Sequence, residues 1–594
     1  MLRGFRWQLI ALLTAASLFI ISIIVRSSEA PPPTPPVSAS ATPQIAVSST
    51  PAPTQAPSLE SDSAPEDSVV TFREALVGSV QRLNPLFAPS NPVDRDITSL
   101  IFEGLTRTNP YGEIEPALAR SWIISSDGLE YIVQLRDDVL WQDGIPFDAD
   151  DVIYTMSILR SPDFPGPAEL GEFWRTVETQ KLGEHLVRFR LTQRLSSFLD
   201  ALRIGILPVH ALEGTGAAQL ASHPFNLTPI GTGPYQLEAL RSDDGQTIRA
   251  VDLRVAPVYR QRPEGQSGYA LDRVRFRLYE TFDEAAQALG RGEVDALAAR
   301  ERGERQALLH ISGVDPHTQI QPELGALIFN WANDDTAYFR EQRFRVALEA
   351  GLDRSSVVER NLLNQAIRAD SPIMPGSWAF VPDLPWAPHD PAAARQLLAT
   401  AQERVLTAAE SAAAEATETA GEATDDAPPA MFSFAILTPN DEPLTRMAQE
   451  IATQWSQYGL GVTVDSVDAE TYQARLDAGD FDAAVVELAL GDSADPDVYE
   501  FWHQGQYPDG KNYGGANDRR ISELLERARQ ETSGVNRVEL YRQFQEEFVE
   551  RAIALPLYYP LYTYATADSI QGVQLGFIGS PADRFRNIGQ WTKA

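Results

Sequence analysis

The chain has 594 residues, with 49 Lys plus Arg against 82 Asp plus Glu and a formal net charge of −33 at pH 7. A surface this negative repels nucleic acid and anionic lipid, which excludes the polynucleotide-binding classes. The complete lack of cysteine removes disulfides, thiolate metal sites, iron–sulfur clusters and cysteine nucleophiles, while 43% hydrophobic content is ordinary for soluble globular domains, of which this length predicts about three to four.

The first element is an apolar, uncharged run from Trp7 to Val25 behind Arg3 and Arg6, long enough to span a bilayer as a helix. Its positive flank places everything after Arg26 outside the membrane. Ser28-Glu29-Ala30 has the small residues a signal peptidase prefers, yet Pro31 follows, so the reading taken is an uncleaved anchor. Residues 31–68 are rich in Pro, Ser, Ala and Thr and too poor in large apolar side chains to offset the entropy of ordering; they read as a disordered linker. The folded body begins near Val69.

Within the body both periodicities occur. Tyr131, Val133 and Leu135 alternate as a half-buried strand, as do Val187, Phe189 and Leu191, whereas Val152, Ile153, Met156 and Leu159 recur at helical spacing behind a capping signal at Asp148 to Asp151. A low-complexity stretch, 402–429, reads as a surface insertion. Beyond it, a helical face of Leu444, Met447, Ile451 and Trp455 ends at Gly459. A strand over 462–467, a helical stretch around Tyr472 to Leu476 and a strand over 482–488 follow. This order predicts a βαβ arrangement whose ligand lies at the carboxyl ends of the strands.

Enzyme templates find no match. There is no Gly-x-Ser-x-Gly, His-Glu-x-x-His or Walker loop, and no Gly-x-Gly-x-x-Gly opening a helix after a strand. The seven histidines never fall at i, i+3 or i, i+4, so no pair is spaced to ligate a metal from one helix face. Asp137-Asp138, Asp150-Asp151 and Asp334-Asp335 read as solvated or helix-start charge. No catalytic residue, metal or cofactor is assigned.

A series of phrases carries more information. Pro229-Ile230-Gly231-Thr232-Gly233-Pro234-Tyr235 specifies a tight, fixed turn leading into a strand. It stands in order with Ile101-Phe102-Glu103-Gly104-Leu105, Leu135-Arg136-Asp137-Asp138-Val139, Trp141-Gln142-Asp143-Gly144, Gly292-Glu293-Val294-Asp295, Gly479-Asp480-Phe481-Asp482 and Asp495-Pro496-Asp497. Together these resemble the extracytoplasmic solute-binding proteins of family 5, the peptide/nickel-type receptors of ABC importers. The resemblance covers about residues 69–573.

It implies an α/β, bilobed periplasmic-binding-protein-like fold (class II type) with an extra domain on the first lobe. The first lobe's main domain would take residues 69–112, 227–320 and 563–594, the extra domain 113–226, and the second lobe 321–562. The implied partners are a peptide or similar small polar ligand, an ABC permease with cytoplasmic ATPase subunits, and the membrane through the N-terminal segment only; the implied state is a monomer. Asp492, three residues before Asp495-Pro496-Asp497, stands where peptide-binding relatives pair an aspartate with the ligand's α-ammonium. Leu488-Ala489 replace the Gly-Trp that relatives commonly carry nearby. Ser90, Asn91 and Pro92 fall on a first-lobe loop that approaches the ligand in the family. Glu487 lies at the carboxyl end of its strand, and Trp331 and Trp502 are candidate stacking surfaces. Two other readings stay open: a ligand receptor for a membrane sensor or chemoreceptor, and a periplasmic peptide-processing enzyme on the same fold.

Overall fold

The apolar strand Leu555–Ala567 joins two sheets into one continuous ladder of 13 strands, and the path of the chain through it organises the molecule. The computed structural model describes residues 60–61, 69–259, 269–386, 388–415, 432–491 and 495–594, with the backbone alone for 60–61 and 404–415. The latter half of this strand pairs antiparallel with Val314–Ile320 and Ala296–Ala299. Its first half pairs with Glu323–Phe329 and Ala366–Arg368. Only Gln321 and Pro322 separate Val314–Ile320 from Glu323–Phe329, so the chain crosses between the two sheets twice, side by side.

Each sheet has its own core. One cluster gathers Phe72, Leu76, Val274, Phe276, Tyr562 and Trp591; the other gathers Leu327, Phe329, Phe344, Ile436, Trp455, Val485 and Tyr559. The division falls within the shared strand, where Tyr559 belongs to one core and Tyr562 to the other. Two lobes follow directly. In the first, the strand order is Tyr235–Ser242, Ala250–Val255, Arg273–Tyr279, Thr71–Val77, Ala296–Ala299 and then the shared strand. A separate antiparallel sheet of Ala119–Ile124, Glu130–Leu135, Leu186–Leu191 and Val177–Gly183 packs into the same core cluster.

In the second lobe, Ser433–Pro439 pairs in parallel with Gly461–Val467 and with Ala483–Ala489. The helices Glu442–Ser456 and Ala469–Ala478 connect them. This is the βαβ order expected from the periodicity, and Leu444, Met447, Ile451 and Trp455 form the buried stripe of the first helix. Tyr131, Val133 and Leu135 are the buried positions of their strand. Asp148 and Asp151 form the capping box of the helix Ala149–Arg160. Asp151 is a helix-start charge, one of the two readings taken, but it is not solvated. It is buried and accepts from the Trp141 indole at 3.0 Å and the Val209 backbone at 2.9 Å, because the helix start lies under the chain at 209.

The turn before Tyr235 is present, but its glycines are required for a different reason than expected. Neither Gly231 nor Gly233 has positive φ. Instead the turn lies directly against the end of the helix Pro92–Ile101: the Gly233 N–H donates to Ile101 O at 2.8 Å, and a Cβ on Gly231 would lie 1.8 Å from that same oxygen. Close backbone approach, not turn geometry, excludes a side chain there.

The apolar run Trp7–Val25 and the linker to residue 68 fall almost wholly outside the described residues. So do residues 416–429 of the low-complexity stretch, whose first part continues the helix Pro391–Glu415. Among the described residues, no helix is long and apolar enough to cross a membrane.

Candidate functional site

Beside the crossing strands an open cavity of about 710 Å³ lies between the lobes. The first lobe contributes the start of the helix Phe282–Gly290 and the loop from Ala299 to Arg305, which leaves the carboxyl end of Ala296–Ala299. The second contributes Glu323, Gln365, Asp441 and Glu487; Gln321, Pro560 and Leu561 close the side formed by the crossing strands. Asp441 follows the carboxyl end of Ser433–Pro439 and caps the next helix, accepting from the Leu444 N–H at 3.0 Å. The second-lobe wall therefore stands where an open α/β sheet places its ligand.

The first-lobe wall mixes Arg300, Arg302 and Arg305 with Asp283, Glu301 and Glu304, whereas the second-lobe wall carries Glu323, Asp441 and Glu487. Arg302 reaches from the first lobe to the second, where its guanidinium meets Glu487 at 2.7 Å and donates to the Tyr558 hydroxyl at 3.1 Å. The Tyr558 hydroxyl in turn donates to Glu487 at 2.6 Å. Burial works to lower the Arg302 pKa, but Tyr558 and Glu487 outweigh it and raise the value. The Asp441 carboxylate lies 3.9 Å from the same guanidinium. This is a charge-assisted, two-point ion pair between the lobes. A second interlobe contact lies away from the crossing strands. The Ser196 N–H donates to Arg529 O at 2.9 Å and the Ser196 hydroxyl to Ala528 O at 3.2 Å, at the carboxyl end of the helix Arg519–Gln530.

Glu323 is the perturbed acid of the site. Burial raises its pKa to about 7 from an ordinary 4.5, the charge of Glu487 adds to the rise, and Arg302 opposes it. Its carboxylate accepts from the Gln321 amide at 3.1 Å. A carboxyl raised in the folded state binds its proton more tightly there than in the unfolded chain, so its contribution to stability is greatest below about pH 4.5 and is lost between 4.5 and 7. Glu323→Gln is accordingly expected to flatten that fall and to stabilise the protein by about 1 to 3 kcal/mol at pH 8. Thermal unfolding of both proteins from pH 4.5 to 8 checks this; parallel curves would mean Glu323 is not the group responsible.

Of the residues singled out by sequence, Glu487 lines the cavity. Asp492 lies outside the described residues. The phrase that follows it is held in place: Arg537 grips Asp495 through two bonds of 2.6 and 2.8 Å, and Arg529 holds Asp497 at 2.6 Å. Ser90 is exposed at the end of the turn Ala88–Ser90, and Pro92 opens the helix Pro92–Ile101. Asn91 caps that helix, its side chain accepting from the Val93 N–H at 2.9 Å. None of the three is among the residues lining the cavity. Trp331 and Trp502 are buried in the second-lobe core, the first under the Arg345 guanidinium at 3.9 Å and the second against Phe548.

Sequence reasoning missed Arg302, Arg305, Glu323 and Asp441. The signal was available in part. The rule that pointed to Glu487 applies equally to the carboxyl ends of Ala296–Ala299 and Ser433–Pro439, and three arginines within six residues, Arg300 to Arg305, stand out in so acidic a chain.

Residues 113–509 match the family model described as "Bacterial extracellular solute-binding proteins, family 5 Middle". The oligopeptide-binding protein AppA of Bacillus subtilis (strain 168) is 25% identical over 526 residues, covering 87% of this chain and 90% of its own. A probable di/tripeptide-binding protein 5 of Pseudomonas aeruginosa (strain UCBPP-PA14) is 25% identical over 496 residues, covering 79% and 86%. Among solved structures, HbpA2 from Haemophilus parasuis superposes with a TM-score of 0.72 at 18% identity, over 86% of this chain and 98% of its own.

Proposed function

The chain belongs to family 5 of the bacterial extracellular solute-binding proteins, and on that footing we propose that it is the ligand-capturing receptor of an ABC importer, taking a peptide or similar small polar solute. The observation that carries this reading is the cavity between the lobes, lined from both sides and flanked by two crossing strands. A ligand that touches both walls only when they are close binds the closed form better, and that differential affinity shifts the population toward closure. The permease, with its ATPase subunits, then receives the closed form. The protein binds its solute and releases it unaltered.

Residues 69–112, 227–320 and 563–594 form the main domain of the first lobe, 113–226 its additional domain and 321–562 the second lobe. The receptor acts as a monomer outside the cytoplasmic membrane, tethered by the segment around Trp7 to Val25. Asp492 takes the ligand's ammonium group. Its support is the anchoring of Asp495-Pro496-Asp497, which follow it in sequence, by Arg537 and Arg529, and the engagement of Glu487, which precedes it, by Arg302.

Native mass spectrometry of the purified protein is expected to reveal a co-purified peptide or small zwitterion. Asp492→Ala is expected to weaken that ligand by about 30-fold or more in calorimetry, the usual loss for one partner of a desolvated, hydrogen-bonded charge pair. Unchanged affinity in the variant would reject the ammonium assignment. A protein that binds neither the co-purified species nor any peptide would reject the peptide reading.

A further inference from the structure

We propose that Arg305 selects ligands that carry a carboxylate, holding that group at the end of the cavity beside the crossing strands. The proposal rests on the receptor reading above and deepens it. Arg300, Arg302 and Arg305 leave one loop and line one cavity, but two of them are neutralised within the protein. Arg300 meets Asp96 at 2.8 Å and Arg302 meets Glu487 at 2.7 Å.

Arg305 differs from both. Its Nη1 donates to the hydroxyls of Thr318, at 2.8 Å, and Thr563, which face each other across the two crossing strands. These hydroxyls orient the guanidinium without neutralising it. Among the described residues it has no carboxylate partner, and its Nε is buried without an acceptor. The nearest acid in sequence does not turn toward it: Glu304 accepts from the backbone N–H groups of Arg300 and Glu301, at 2.7 and 2.9 Å. Burial alone, with no opposing charge, lowers the Arg305 pKa. Arginine stays protonated at any working pH, so Arg305 is a fixed positive charge that forms no ion pair with a described residue.

The facing wall is acidic, with Glu323, Asp441 and Glu487. The first-lobe wall also carries Asp283, Glu301 and Glu304, so an anionic group is drawn to the Arg305 guanidinium in particular and not to that wall as a whole. The planar guanidinium is matched to a carboxylate in shape as well as in charge.

Three probes separate the possibilities on the full-length protein: tetra-alanine, tetra-alanine amide, and Ala-Glu-Ala-Ala amide, whose only carboxylate is on a side chain. The natural protein is expected to bind tetra-alanine at least 10-fold more tightly than its amide. Arg305→Gln should reduce that ratio to within about 2-fold, and Arg305→Lys should retain an intermediate one. Restored affinity for Ala-Glu-Ala-Ala amide would assign the subsite to a side-chain carboxylate instead of the chain terminus, and would equally support the proposal. An acid-to-amide ratio unchanged by Arg305→Gln would overturn it, as would the lack of any ratio in the natural protein. If no peptide binds, the receptor's peptide reading fails, and thermal unfolding in sodium acetate against sodium chloride at equal ionic strength decides the anion site. A carboxylate-specific stabilisation abolished by Arg305→Gln supports it; the same response in both proteins refutes it.

Discussion

Arg584→Met is expected to destabilise the first lobe by about 3 to 5 kcal/mol, the range seen when one partner of a buried ion network is removed. Arg584, Glu74 and Asp96 are fully buried. The guanidinium meets Glu74 at 2.9 Å and Asp96 at 2.8 Å, while Tyr564 donates to Glu74 at 2.7 Å. Burial raises the Glu74 carboxyl despite Arg584. Burial works to raise Asp96 too, but there Arg584 and Arg300 outweigh it and the carboxyl lies below its usual range. Without Arg584, Asp96 keeps Arg300 at 2.8 Å and Glu74 keeps only a hydroxyl. The cheapest response is for Glu74 to take up a proton, so the deficit shrinks as the pH falls. Thermal unfolding should show a midpoint lower by about 5 to 10 °C at pH 7.5. Adding Glu74→Gln to the variant should recover part of the loss, because the uncompensated charge is then gone. Equal stability of natural protein and Arg584→Met would show that the network contributes nothing.

Gly231→Ala is expected to be comparably severe, costing about 3 kcal/mol or more, although it adds one methyl group. The added carbon would lie 1.8 Å from Ile101 O and 2.6 Å from its carbonyl carbon, and backbone cannot rotate away as a side chain can. Three hydrogen bonds join the neighbouring segments at this point: Gly231 N–H to the Gln142 side chain at 2.9 Å, Gln142 N–H to Gly231 O at 2.9 Å, and Gly233 N–H to Ile101 O at 2.8 Å. Any shift that relieves the clash lengthens them together. A Gly144→Ala control meets no atom within 4 Å, but its φ of +90° strains an alanine, so it isolates conformational strain from collision. Gly231→Ala should fall well below that control in thermal midpoint and in soluble yield; equal behaviour would mean the turn can move.

Much of the fold was legible because its determinants are local. The alternation at Tyr131, Val133 and Leu135, the capping signal at Asp148 and the apolar stripe from Leu444 to Trp455 each act within a dozen residues. The order of strands and helices in the second lobe followed from them. The site was legible only where topology alone locates a residue. Glu487 sits at the end of a strand whose neighbours could be inferred, whereas Arg302 comes from the other lobe and reaches Glu487 across 185 residues of sequence. No periodicity encodes that meeting, since it depends on how two crossing strands set one sheet against the other. Trp331 and Trp502 illustrate the converse. Large aromatic side chains satisfy a core as readily as a ligand, and in this protein they pack in the core.

The placement of residues 584–593 has a consequence for biosynthesis. Lys593 donates to Thr71 O at 2.7 Å and meets Asp295 at 2.7 Å, Trp591 is fully buried, and Arg584 binds Glu74 across 510 residues. The first lobe's central strand, Thr71–Val77, thus waits for partners made some 510 residues later. The second lobe draws its sheet from one continuous stretch, Glu323 to about Pro560, and can finish before those partners are made. The half made first therefore completes its packing after the second, and through that interval its strands lack part of their native contacts.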